Sequence, residues 1–519
     1  MKNKSNFYIL LTFLFITLIF SANVVAQDNQ KTLIFAVNSP TNNLDPAIGS
    51  SVPEMRLFLA SYEALVRFKP GTLELEPVLA LSWSSNDDKS EYTFELREGV
   101  KFHDGAEFNA EAVKASYERN LEIGQGESYL INDIENIVVE GPYTVTMQLS
   151  APNPEFLYSV TRQFIVSPKA VEENEKNGDL AKDWFARNEA GTGPYTLNRW
   201  EEDQEYEYVK FDEYWRGWRD NNFEKVIFKI VVEPATQELL IKRGEIDVAE
   251  NIVEESLDEL SKLPGIRVDT RETPNPFYIS MNMERSPLDN IKVRQAIVHA
   301  LDYETTIEMA MTGYASYLNG PVPTGFPGYN DELPEISFDL EKAKELLEEA
   351  GYPNGGFTLT YMYLEHWLFE QTVGLILQQG LNELGIELDI QAQPWATMTA
   401  KMKDPDERPD LVMYAQTTPT PSPLTILRPM YHSESEHWSH FTYSNPEVDK
   451  LLEDAGKIAD DEERHQAYEE IQRLVFEDYP QLFVFDRNET LVFRDNIKNT
   501  KTLITWTGRM FNYYEAYKE

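Results

Sequence analysis

The chain reads as an α/β protein of two or three domains, and three observations predict it. Strand-period and helix-period segments follow one another in the same stretches, most clearly from Tyr92 to Arg119. At 519 residues the chain exceeds one ordinary core. Apolar residues make up 42% and aromatic residues 12%, spread along the whole length, so the chain can build cores and is not disordered.

Taken in order, the first segment carries Lys2 and Lys4, an apolar run from Phe7 to Phe20, and then Ser21 to Ala26 with Val24 and Ala26 placed for signal-peptidase cleavage. This is the pattern of a secretory leader over residues 1–26. The run is short for a membrane span of roughly 20 residues, and no second one follows; a retained anchor is the alternative. Thr32 to Val37 reads as a strand. Tyr92, Phe94 and Leu96 alternate with polar residues at the period of a half-buried strand, and Val100 and Phe102 resume the alternation after Glu98-Gly99. His103-Asp104-Gly105 supplies a turn, with glycine free to take positive φ. Asn109 is an N-cap for a helix to about Asn120, with Ala112, Val113, Ser116 and Tyr117 on its buried face. Further on, Glu341 to Glu349 is helical, and Phe357 to Thr360 and Glu387 to Gln391 are strands.

The charge balance excludes several partners. There are 46 basic and 88 acidic residues, a net charge of −42, and losing Lys2 and Lys4 with the leader makes it −44. Nucleic acid and anionic membrane surfaces are unsuitable partners for such a chain. The acids are dispersed along helical segments, as on a solvated surface adapted to salt. With no cysteine, the chain has no disulfide and no cysteine-based metal site or nucleophile. The motifs of rival classes are also missing, including G-x-S-x-G, G-x-x-x-x-G-K-[ST], H-E-x-x-H and a helix opened by G-x-G-x-x-G. Carboxylates are too numerous to nominate a glycosidase pair. No enzyme and no cofactor is expected.

The stretch YTFELREGVKFHDGAEFNAEAVKASYER resembles the motif of the family 5 extracellular solute-binding proteins, the dipeptide, oligopeptide and nickel receptors of ABC importers. It departs from the family pattern at Asn109, Ala112 and Asp88-Lys89-Ser90. Other blocks agree in the family's order: Leu44-Asp45-Pro46, Tyr62-Glu63-Ala64-Leu65-Val66, Gly191-Thr192-Gly193-Pro194-Tyr195, Tyr214-Trp215, Arg243 to Asp247, Val293 to Ile297 and Tyr443 to Asp449. The resemblance covers nearly all of 32 to 500. It implies a two-lobed periplasmic-binding-protein clamshell whose chain crosses between the lobes twice. Lobe one is expected at 27–69, 191–273 and 486–519, an inserted subdomain at 70–190, and lobe two at 274–485. The motif around His103 is scaffold in the family, so His103 is read as structural. Without a cysteine to lipidate, the mature form is expected to be a soluble periplasmic monomer, in an envelope of Gram-negative type. Its partners are then the permease and ATPase subunits of an importer.

In peptide-binding members a segment after a lobe-two strand resembles DlxxxGWxxDYpDP, and its first Asp after the Trp holds the peptide ammonium. Here the matching segment runs from Asp410 to Pro423. Ala415 stands for the Gly, Gln416 for the Trp, Pro419 for the anchoring Asp, Thr420 for the Tyr and Ser422 for the second Asp. An ammonium buried without a counter-charge loses several kcal/mol, so a free peptide amine held in the usual way is disfavoured. Tyr414, Ala415, Gln416, Thr417 and Thr418 instead suit hydroxyls, amides or a modified peptide. An acid from elsewhere, Glu365 or Glu434, is the alternative anchor. Tyr363, His366, Trp367 and Trp395 are candidate stacking residues, and Asn38, Ser39 and Thr41 candidate backbone contacts in lobe one. His432, His437 and His440 form a weaker metal or chelate alternative, as in the nickel branch. The expected function is capture of a small peptide-like, modified-peptide or oligosaccharide solute for an ABC importer. A metal-chelate receptor, and a secreted sensor or chaperone feeding no transporter, are the alternatives.

Overall fold

The computed structural model describes residues 31–437, 441–501 and 510–519. The leader segment 1–26 and His440 lie outside the described residues.

Thr32–Val37 is a strand because its run of apolar and β-branched residues is covered on both faces. It lies inside a seven-stranded sheet, in the order Ile266–Arg271, Glu489–Arg494, Val248–Ala249, Thr32–Val37, Lys225–Ile230, Glu205–Lys210 and Tyr195–Glu201. Both of its neighbours run parallel to it, with Thr32 opposite Lys225 and Phe35 opposite Val248. A six-stranded sheet follows the order Ala315–Tyr317, Gln481–Arg487, Pro276–Met281, Leu411–Ala415, Thr358–Leu364 and Glu387–Gln393. Its last three strands are parallel. In each sheet the carboxyl ends of the parallel strands share one edge, where α/β proteins form ligand crevices.

A third, antiparallel sheet is ordered Ala80–Ser85, Glu91–Leu96, Thr144–Leu149 and Ile134–Gly141. Tyr92, Phe94 and Leu96 enter its core together with Val100 and Phe102, and Leu65 and Val66 join them. The helix Ala110–Ile123 lies over it, capped by the Asn109 side chain, which accepts from the Ala112 amide. It runs almost a turn past Asn120, because Gly124 ends it in the left-handed conformation at φ 61°.

The chain passes between the two larger sheets where Ile266–Arg271 leads to Pro276–Met281, and again where Gln481–Arg487 leads to Glu489–Arg494. The crossings run side by side, with the Arg487 amide donating to the Asn275 carbonyl and the Thr273 hydroxyl to the Arg487 carbonyl. Asp486 is buried at this point. Burial pushes its carboxyl up to about 8 against the pull of the Thr324 and Asn275 backbone amides.

Glu63 joins segments far apart in sequence. Its carboxylate accepts from the Thr192 hydroxyl, the Tyr214 hydroxyl and the Trp215 indole, each at 2.9 Å. Gly191 and Gly193 press against the Ser61 backbone. A Cβ on Gly191 would lie 1.9 Å from the Ser61 carbonyl oxygen, which explains both glycines of the GTG block. Arg119 of the helix Ala110–Ile123 adds a second tie, donating from Nη1 and Nη2 to the two Asp45 oxygens at 2.8 and 2.6 Å in full burial. His103 bridges the same seam, with Nδ1 2.6 Å from Glu189 and Nε2 2.9 Å from the Gly193 carbonyl.

Two outcomes follow from these buried carboxyls. Glu63→Ala strands three donors and should cost about 3–5 kcal/mol, read as a lower urea midpoint. For Asp486 the folded pKa is raised, so the folded chain keeps a proton that the unfolded chain releases. Its contribution to stability therefore declines as pH rises from 3.8 towards about 8. Asp486→Asn should remove that decline, its melting temperature gaining on the native chain through this window and the gain levelling off above it.

Candidate functional site

A cleft of about 390 Å³ opens where the three parts of the molecule meet. Ser50, Ser51, Val52 and Met55 form one wall, from the start of the helix Val52–Ser61, with Met510 beside them. Gly126, Glu127, Tyr129 and Arg162 of the inserted subdomain form a second. Thr417, Thr418 and Pro419 form the third, in the loop after the strand Leu411–Ala415.

The charged groups on this wall neutralise each other. Arg162 donates from Nε and Nη2 to the two Glu127 oxygens, Nε at 2.8 Å, and both side chains are 9% exposed. That fork leaves Nη1 as an unspent donor among the described residues. Among the described residues no other acid lines the cleft. Tyr129, 57% exposed, offers a ring face, and Met55, Val52 and Met510 offer apolar contact.

Other expected contacts take up varied positions. Gln416 is buried beside this wall; its amide donates to the Pro276 carbonyl and its side-chain oxygen is buried without a hydrogen-bond partner. The Thr418 hydroxyl bonds within its own loop, to the Thr420 carbonyl and to Thr425. Ala415 closes the strand, paired with Phe277. Tyr414 and Tyr363 lie in the lobe-two core, Tyr414 bonded to Ser280 and Tyr363 stacked on Tyr361. Trp367 packs on Phe277 and Phe369. His366 and Trp395 are exposed, beyond the paired carboxyl ends of Thr358–Leu364 and Glu387–Gln393. In lobe one the Asn38 amide donates to Glu250, the Ser39 hydroxyl to Asn38, and Thr41 exchanges backbone bonds with the Tyr206 hydroxyl. His432 and His437 line a separate pocket with Glu434, away from the cleft wall. Arg162, Glu127, Tyr129, Met55 and Met510 were not singled out from sequence. The one available hint is a lone cation, Arg162, before the apolar Phe164-Ile165-Val166 in an acid-rich chain.

The family model for bacterial extracellular solute-binding proteins, family 5, matches residues 74–438. The chain belongs to that family. An Escherichia coli (strain K12) protein described as a "Probable D,D-dipeptide-binding periplasmic protein" is 29% identical over 90% of each chain. Among solved structures, the ABC transporter-associated periplasmic binding protein DppA from Helicobacter pylori, in complex with the peptide STSA, is 26% identical. It covers 95% of this chain and 100% of its own, with a TM-score of 0.77. HbpA2 from Haemophilus parasuis is 25% identical over 94% of this chain and 100% of its own, with a TM-score of 0.83. The protein is thus a two-lobed clamshell of the solute-binding type that serves ABC importers, a family of binding proteins rather than enzymes. No helix among the described residues is long and apolar enough to cross a membrane.

A polar seam joins the part of the molecule built on the six-stranded sheet to the part built on the antiparallel sheet. Ser422, in the loop after Leu411–Ala415, donates to Glu155, beside the helix Phe156–Val160. Arg464 of the lobe-two helix Asp461–Asp478 lies 3.8 Å from the other Glu155 oxygen, and the Tyr468 hydroxyl faces the same carboxylate. Burial raises the Glu155 pKa, with Ser422 and Arg464 pulling it down. On the opposite side, Arg487 pairs with Glu254 at 2.6 Å and the Tyr314 hydroxyl donates to Asp258 at 3.1 Å. Glu155→Ala should tilt the lobes open. A larger radius of gyration in solution scattering, with about tenfold weaker binding of the solute released from the native protein, is the expected outcome for a lost charged hydrogen bond.

Proposed function

We propose that the protein captures a peptide-like solute whose amino end is blocked, modified or absent, closes its lobes over it, and delivers it unaltered to the permease and ATPase subunits of an ABC importer. The observation that carries this reading is the cleft wall itself. Pro419 stands where relatives place an ammonium-binding Asp, and the remaining carboxylate, Glu127, is already spent on Arg162. Glu434 lines a different pocket, and Glu365 is exposed outside this wall. A buried ammonium would be left without a counter-charge, at a cost of several kcal/mol. Arg162 Nη1 remains for a ligand carbonyl or carboxylate, Thr417 supplies a neutral hydroxyl, and Tyr129 supplies a stacking face.

The rest of the reading follows the family. Lobe one is assigned to 27–69, 191–273 and 486–519, the inserted subdomain to 70–190 and lobe two to 274–485; the three sheets and the paired crossings near 275 and 487 support this division. Residues 1–26 act as a cleaved leader to the periplasm, and the mature chain works as a monomer without catalysis. The candidate contacts Asn38, Ser39, Thr41, His366, Trp367, Trp395 and Ala415 to Thr418 are retained, with Thr417, Thr418 and Arg162 as the primary set; Tyr363 and Tyr414, whose rings lie in the core, are set aside.

Calorimetry with N-acetyl-Gly-Leu, Gly-Leu and Ni²⁺ with L-histidine tests the ligand class. The blocked peptide should bind more tightly than the free one, Arg162→Ala should weaken it about tenfold, and Pro419→Asp should reverse the order of the two peptides. Equal binding of both peptides to the native protein would overturn the reading. Preference for the nickel chelate would reassign the same Nη1 donor to a chelate carboxylate.

A further inference from the structure

The seam around Glu155 brings together more polar atoms than it bonds. Glu155 Oε2 accepts from Ser422, but Oε1 has no hydrogen-bond partner among the described residues. The same holds for Arg464 Nε, 3.8 Å from that oxygen, and for the Tyr468 hydroxyl that faces it. All three atoms are buried, and unbonded polar groups in the interior are uncommon enough to need a cause. Arg464 is not a full counter-charge for Glu155, because its Nη2 already donates to Asp461 at 2.6 Å and its Nη1 to the Ile458 carbonyl at 2.8 Å. None of the other groups that face Glu155 among the described residues is a cation: Asp461 and Tyr468 come from the same helix as Arg464, Ser422 from its loop, Tyr158 from the helix Phe156–Val160 and Tyr92 from the strand Glu91–Leu96. One guanidinium is thus shared between two carboxylates, one of them buried. A proton on Glu155 Oε1 removes the surplus charge and turns that oxygen into a donor towards the Tyr468 hydroxyl.

We propose that this seam is a proton-sensitive latch: the clamshell closes on a protonated Glu155, and loss of that proton loosens it whatever solute it holds. Such a latch is independent of the ligand class proposed above. Glu155 stands on the side built on the antiparallel sheet, while Ser422, Arg464 and Tyr468 stand on the side built on the six-stranded sheet, so opening hands the carboxyl to water. In the open form it then titrates as an ordinary glutamate, at 4.5; in the closed form burial raises that value, with Ser422 and Arg464 opposing the rise. Closing therefore takes up a proton between the two values. The latch is at full strength below the ordinary value and weakens as pH rises through the raised one, by at most about tenfold in the closing equilibrium per pH unit for a single proton.

Small-angle scattering of the mature full-length chain without added solute tests this, with the radius of gyration followed from about pH 5 to about pH 9. The native chain should expand as pH rises. Glu155→Gln, which keeps an acceptor for Ser422 and cannot ionise, should stay compact throughout. Reading the native chain against this variant cancels Asp486 and Glu370, whose carboxyls, pushed up to about 8, both proteins share. Ser422→Ala removes a donor that favours the charged form, so its expansion should be centred at higher pH than that of the native chain; it serves as the test by itself if Glu155→Gln fails to fold. Native and Glu155→Gln profiles that coincide, or that differ by the same amount at every pH, would overturn the latch. So would a midpoint that Ser422→Ala leaves in place or lowers.

Discussion

Glu63 is buried and accepts from three neutral donors, and it ties together segments far apart in sequence. Its three partners come from Thr192, Tyr214 and Trp215, so one carboxylate ties the return of the chain from the inserted subdomain to the body of lobe one. Burial raises its pKa, and the three hydrogen bonds oppose that rise. The backbone beside it has no slack, because Gly191 and Gly193 can approach Ser61 only without a Cβ. Asp45 and Arg119 add a second pin across the same seam, and His103 with Glu189 a third. Burial disfavours a charged His103, yet Glu189 and the Gly193 carbonyl outweigh it and raise its pKa. This seam is fixed at several points, while the two larger sheets are joined by the paired crossings near 275 and 487.

These contacts explain why the scaffold was legible in the sequence. Each block that pointed to the family is one end of a buried polar contact or a close backbone approach. Leu44-Asp45-Pro46 and the Tyr92 to Arg119 stretch meet in one ion pair, and Tyr62 to Val66, the GTG block and Tyr214-Trp215 meet at Glu63. Such positions admit few residue types, since a change strands a donor or meets backbone. Alternation and capping were equally readable: Tyr92, Phe94 and Leu96 face one core, and Asn109 caps its helix.

The cleft was legible only in part, for a physical reason. Its walls come from residues near 50, 127, 162, 418 and 510, and the property that unites them is position in space. Arg162 and Glu127 carry no periodic or capping signature. Tyr363 looks from sequence like a stacking residue and Tyr414 like a polar contact, but strand geometry turns their rings into the core, where Tyr414 meets Ser280 and Tyr363 meets Tyr361. Alternation along a strand assigns a side of the sheet, and in a sheet covered on both faces it does not say which residues reach the edge.

The expected replacement of an acid by Pro419 then bears on the proposed ligand class. If the cleft holds the solute as proposed, its charges among the described residues, Arg162 and Glu127, are already paired, so a ligand gains little from bringing a cation and loses the hydration of any cation it brings. Affinity must come from a single guanidinium donor, neutral hydroxyls, apolar contact and the seam made by Glu155, Ser422 and Arg464 on closure. That seam forms between protein groups whatever the solute is, so it sets how far closure is favoured and leaves discrimination to the walls.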